Sequence, residues 1–172
     1  MDQTDIGLGA VVKALNDFVA PALDPNDHLA REQLRLSAEY IAFLRKRLDY
    51  LHGRERFDLR HQIGLAEALL AHDLSPIASS VELRRLTELC RPVLGDADAL
   101  TSSVRAAALE LGHAVSAVLS GSDVLPPETA RSIHLAVLEL SDRRIEFERH
   151  WYAPIGFEPT PLDEERLPDF LK

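Results

Sequence analysis

Cysteine occurs once in the 172 residues, at Cys90. An intrachain disulfide is therefore excluded, and nothing in the chain asks for an oxidising compartment. Aromatic residues are also scarce: six Phe, three Tyr and a single Trp. Tracts of β-branched residues are few, so there is little sheet-forming sequence. Basic residues fall short of acidic ones, 19 Lys and Arg against 28 Asp and Glu, which leaves a net charge of −9. Phosphate attraction needs positive surface, so no nucleic-acid partner is expected. Long apolar runs are missing too. The longest, around Ala106–Leu119, is broken by Glu110 and His113, so no membrane partner is expected. The opening MDQTDIGLGA has no basic region leading into an apolar run. No secretory signal is expected there, and the expected location is the cytoplasm.

What is present favours helix. Hydrophobic residues make up 46% and charged residues 27%, an ordinary globular balance. Leu and Ala dominate, and apolar positions recur at helical spacing rather than alternating. Leu8, Val12, Leu15 and Val19 form one stripe over about residues 5–22. DPND at 24–27 then restarts the chain, with Asp24 as the expected cap and Pro25 in the first helical position. A second helix is expected from about 25 to 52, on a stripe of Gln33, Ser37, Tyr40, Leu44, Arg47 and Leu51, ended by Gly53. Further helices are expected at about 54–73, 79–91, 97–119 and 127–152. Ser79 and Glu82 have the spacing of a capping box, and Pro92 should help to end the fourth helix. Four prolines after residue 152 rule out another long helix. The predicted fold class is all-α: an up-and-down antiparallel helical bundle of about five to six helices over residues 1–152. An extended, proline-containing C-terminal arm at 153–172 should pack on the bundle or on a partner chain.

Candidate chemistry is sparse. Glu110-x-x-His113 has the spacing of a carboxylate–histidine metal motif. Its histidine, however, falls opposite the Val104–Leu111–Val115 stripe, and the inward glutamates that a di-metal bundle needs are missing. Asp58-x-x-His61 has the same spacing. No metal site and no cofactor is predicted. There is no G-x-S-x-G elbow and no glycine-rich phosphate loop, so no catalytic residues are assigned. Cys90 shares an apolar face with Leu83 and Leu86 and reads as a buried thiol. The stretch from Arg45 to Arg60 is locally basic, and is read as a solvated helix end.

Two arginines are anomalous. Arg47 and Arg144 each interrupt an apolar stripe, and a buried guanidinium must find acceptors. His61 lies among small residues, a setting that fits either a cavity or a space-filling hydrogen bond. Tyr40, Arg47, His61 and Arg144 together define a candidate site for a small anionic ligand. Trp151 closes the stripe Ile133–Val137–Leu140–Phe147, where the last long helix gives way to the arm. Trp151, Tyr152, Ile155 and Phe157 define a candidate interaction surface. The favoured function is a non-enzymatic helical protein acting through protein–protein contact, with itself as a homo-oligomer or as an accessory subunit of another protein. The alternative is a ligand binder or enzyme using the Tyr40–Arg47–His61–Arg144 cavity. A carboxylate-type metal protein is the third reading.

Overall fold

The computed structural model of the chain describes residues 3–156 and 158–172. Among them every regular element is helical and no strand forms. α1 (Gln3–Ala14) runs through a π-helical turn at Leu15–Val19 into α2 (Ala20–Ala22). α3 (His28–Arg47) leads through a 3-10 turn at Leu48–Tyr50 into α4 (Leu51–Leu70). Next come α5 (Ser80–Gly95), α6 (Thr101–Ser120) and α7 (Pro127–Tyr152), and finally the single turn α8 (Leu167–Phe170). The all-α class and the helical bundle expected from periodicity are what the structure shows.

The helices form two compact units. The first holds the described residues up to Leu51, together with Trp151–Glu164. The second holds His52–His150 and Glu165–Lys172. The segment after residue 152 is divided between them.

The second unit is a four-helix bundle, α4 to α7. Glu55 pairs with Arg105, and Gln62 lies beside Gly112, so α4 and α6 run the same way. Arg54 pairs with Glu148 and Phe57 stacks on Phe147 with centroids 4.1 Å apart, so α7 runs opposite to α4. Arg56 donates to the carbonyl of Leu94 while Arg91 pairs with Glu67, so α5 also opposes α4. The result is up-down-up-down, as short connections favour. Its core is built from Leu59, Leu69, Leu83, Val104, Leu111, Val118 and Ile133, all fully buried. Val104, Ala108, Leu111, Val115 and Val118 face that core from α6 at one continuous helical spacing.

The first unit is a helical hairpin. Arg45 Nε donates to Asp5 Oδ1 at 2.9 Å, tying the end of α3 to the start of α1. Gly9 makes room for this: a Cβ there would lie 3.1 Å from the Arg45 guanidinium. Few side chains are buried in this unit. Among the described residues they are Ala38, Phe43, Arg47 and Trp151, and α1 buries none fully.

Several helix ends differ from the sequence expectation. Asp27, not Asp24, caps α3, accepting from the Ala30 amide at 2.9 Å. Gly53 does not end a helix; it lies inside α4, where Leu171 packs against its bare face. The break falls earlier, at Leu48–Tyr50. Ser79 makes no side-chain cap: its own backbone is already helical, at φ −68° and ψ −10°, and Glu82 pairs with Arg85. Pro92 lies within α5, which continues to Gly95. The missing amide of Pro92 falls so near the helix end that only the last turn is affected.

The bundle core sets the first testable outcome. Leu111→Ala should destabilise the protein by about 3 kcal/mol, whereas the exposed Leu109→Ala on the same helix should stay within about 0.5 kcal/mol of the parent. Urea denaturation followed by far-ultraviolet circular dichroism reads both.

Candidate functional site

The first unit has a groove along the outer face of α3. Its volume is about 800 Å³, within the usual range for binding clefts. Leu36, Tyr40, Ala42 and Phe43 form one wall, and Pro154 and Ile155 form the other. Arg35, Glu39 and Lys46 stand at its mouth. Arg35 is held there by Glu32 and Glu39 at 2.6 Å each. The expected inward stripe of α3 therefore faces solvent over its first half: Gln33, Ser37 and Tyr40 are exposed, and only Arg47 is buried.

Arg47 explains how the second wall is held. It is 3% exposed, yet it carries a permanent charge. Its Nε donates to the carbonyl of Trp151 at 2.9 Å. The guanidinium also lies against two rings, 5.9 Å from the centroid of Phe43 and 5.7 Å from that of Trp151. Phe43 in turn meets Trp151 edge-on at 6.4 Å and stacks on Tyr152 at 5.7 Å. Tyr40 continues the cluster, 5.8 Å from Phe43. Past Tyr152 a 3-10 turn at Ala153–Ile155 begins, and Gly156 at φ 84° lets the chain reverse. Pro154 and Ile155 are thereby set beside α3.

Of the expected interaction surface, Tyr152 and Ile155 are exposed, whereas Trp151 is 2% exposed and acts from beneath. Phe157 lies outside the described residues. Of the expected ligand residues, Tyr40 and Arg47 belong to the first unit, and only Tyr40 lines the groove.

His61 and Arg144 belong to the second unit. There Arg144 lies 3.6 Å from Asp58 Oδ1, an atom that is buried and receives no hydrogen bond. Burial raises the Asp58 carboxyl above its ordinary value, against the pull of Arg144 and Arg54. Burial, reinforced by the Arg144 charge, pushes His61 down to about 4. His61 is therefore neutral at pH 7. Glu110 and His113 are exposed on the outer side of α6. Among the described residues no group of three or more His, Cys, Asp and Glu gathers as metal ligands. Burial likewise raises the Cys90 thiol, which donates to the carbonyl of Ala107. Among the described residues no helix is long and apolar enough to cross a membrane.

Sequence reading missed Leu36 and Pro154 as groove residues. Leu36 had a signal, since it lies on one helical face with Tyr40 and Phe43. Pro154 had none beyond its role as a helix breaker. No protein-family model, curated protein or solved structure matches this chain, so the functional reading rests on these geometries.

Two outcomes follow from them. Arg47→Met keeps the bulk but strips the Trp151 carbonyl of a donor, and should cost about 1–3 kcal/mol. Because Trp151 is the single tryptophan, its fluorescence should shift to the red in that variant. The second outcome concerns pH. His61 has its ordinary value of 6.5 in the unfolded chain and about 4 in the folded one. The unfolded chain therefore takes up the proton first, and His61 removes stability as pH falls from 6.5 towards 4. Asp58, raised in the folded state, acts in the opposite direction over the acid range. Comparing the parent with His61→Gln isolates the histidine: the urea midpoint of the variant should fall less over that window. Equal slopes would show that His61 titrates normally.

Proposed function

We propose that this chain is a non-enzymatic helical protein that acts through protein–protein contact, and that a second copy of itself completes its first unit. The observation that carries this reading is the uncovered apolar surface of that unit. Ile6, Val11 and Phe18 stand exposed on one helix of the hairpin, and Leu29, Leu36 and Tyr40 on the other. Phe18 is 73% exposed. A hairpin that buries so few side chains has little core of its own, and the large apolar side chains it exposes are available to a partner. A second hairpin presents the same residues in the same amounts. Two such hairpins packed face to face make a four-helix arrangement with the apolar residues inside.

The reading is also supported by how the charged groups are used. The Nε of Arg47 is engaged by a main-chain carbonyl, and Arg144 lies beside Asp58. The Cys90 thiol is buried and raised, which suits a reducing, cytoplasmic setting better than a reactive role. These observations favour contact over ligand chemistry at the Tyr40–Arg47–His61–Arg144 set.

Sedimentation over the micromolar to millimolar range tests the proposal. A mass at a whole multiple of the chain is expected, and Phe18→Glu combined with Leu36→Glu should shift it towards the monomer while far-ultraviolet circular dichroism stays helical. A parent chain that is monomeric throughout that range overturns self-association and leaves another protein as the covering partner.

A further inference from the structure

In a four-helix bundle the outermost face of each helix is normally polar. α7 departs from this. Its inward face carries Ile133 and Phe147, both buried. The face diametrically opposite, at 100° per residue, runs Arg131, Leu135, Leu138, Asp142, Ile145. Leu135, Leu138 and Ile145 are 49%, 65% and 57% exposed. Arg131 and Asp142 are exposed as well, and among the described residues neither has an ion pair or side-chain hydrogen bond. Eleven positions apart, roughly 16 Å along the axis, they cannot reach each other.

We infer that this stripe docks against the same stripe of a second copy, antiparallel, with Leu135 opposite the second copy's Leu138. That single register satisfies every member of the stripe. It places Arg131 on the second copy's Asp142 and, by the two-fold symmetry, Asp142 on the second copy's Arg131. Leu138 falls on Leu135, and Ile145 is covered by the aliphatic stem of Glu128. The competing arrangements are self-defeating. A parallel pairing sets Arg131 on Arg131 and Asp142 on Asp142. Sliding the antiparallel pair by one heptad sets Asp142 on Leu138 and Arg131 on Arg149 in one direction, and in the other sets Arg131 on Leu135 and leaves Asp142 beyond the start of the second copy's α7. Like charges brought together at a contact are disfavoured, so the pattern selects one partner geometry. The spacing also matches antiparallel helix pairing, where apolar residues three and four apart form the seam.

This inference rests on the self-association proposed above and adds to the hairpin face a separate contact surface on the second unit. The test is a charge exchange on α7. Asp142→Arg alone gives two Arg–Arg encounters per pair of copies, and Arg131→Asp alone gives two Asp–Asp encounters. Each variant alone should associate at least about tenfold more weakly than the parent in sedimentation experiments at low salt. An equimolar mixture of the two variants restores both ion pairs and should associate like the parent. Circular dichroism shows whether each variant keeps its helices. If the parent associates but the two variants associate equally well, alone and mixed, the α7 surface is wrong and self-association stands. If the parent is monomeric throughout, both inferences fail together. Recovery in the mixture but in neither variant alone supports the antiparallel α7 contact, because loss of folding would not be repaired by mixing.

Discussion

A buried guanidinium donating to the last turn of a helix organises the first unit. The final carbonyls of any α-helix lack intrahelical donors and lie at the negative end of its dipole. A cation there meets two needs at once: the carbonyl gains a donor, and the charge gains an acceptor in a place poor in water. Arg47 does this for the end of α7, at the carbonyl of Trp151. The contact joins residues 104 positions apart in the chain. It also dictates what surrounds it, since a desolvated guanidinium is best flanked by aromatic faces. Phe43 and Trp151 supply them. With Trp151 fixed, Tyr152 stacks on Phe43, and the turn that follows sets Pro154 and Ile155 as the wall of the groove. The groove is thus a consequence of where one arginine finds its acceptor.

The two units solve burial differently. In the second, four helices contribute facing aliphatic residues, and Leu59, Leu69, Leu83, Val104, Leu111, Val118 and Ile133 lose all contact with solvent. Each such side chain contributes roughly 1.5–3 kcal/mol relative to exposure. In the first, α1 loses no side chain fully from solvent, and the hairpin relies on Arg45–Asp5, on Arg47 and on the aromatic cluster. Polar and aromatic contacts of this kind position a surface well, but they exclude little water. The stability of such a unit is therefore sensitive to whatever covers its outer faces.

The helices themselves were legible in the sequence because burial imposes a period. The Val104–Val118 stripe of α6 appears in the bundle as the spacing demands. The ends were less legible. Gly53 reads as a stop by its own propensity, yet Leu171, more than a hundred residues away in sequence, occupies the space its missing side chain leaves. Ser79 reads as a capping box, yet its own backbone is already helical and its side chain makes no cap. At Gly53 a tertiary contact outweighs a local preference worth about 1 kcal/mol. At the site, Arg47 stood out because a charge in an apolar stripe must be compensated. Its acceptor did not stand out, because a main-chain carbonyl carries no mark in the sequence. Spacing predicts one stripe along α3, and its first half faces solvent. Spacing gives a face but not the side on which the neighbouring helix lies, and Tyr40 faces out.

Acidity and self-contact are reconciled by distance. Two copies of a chain of net charge −9 repel, but salt shortens that repulsion to about 8 Å at physiological ionic strength. Only charges near the contact then decide whether copies meet. On the outer face of α7 one arginine and one aspartate bracket two leucines, with Glu128 one turn further out. On the groove face of α3 the arginine at the mouth is neutralised by glutamates on its own helix. A net negative charge opposes non-specific aggregation. Association at such patches is accordingly governed by how the few local charges are paired rather than by the total.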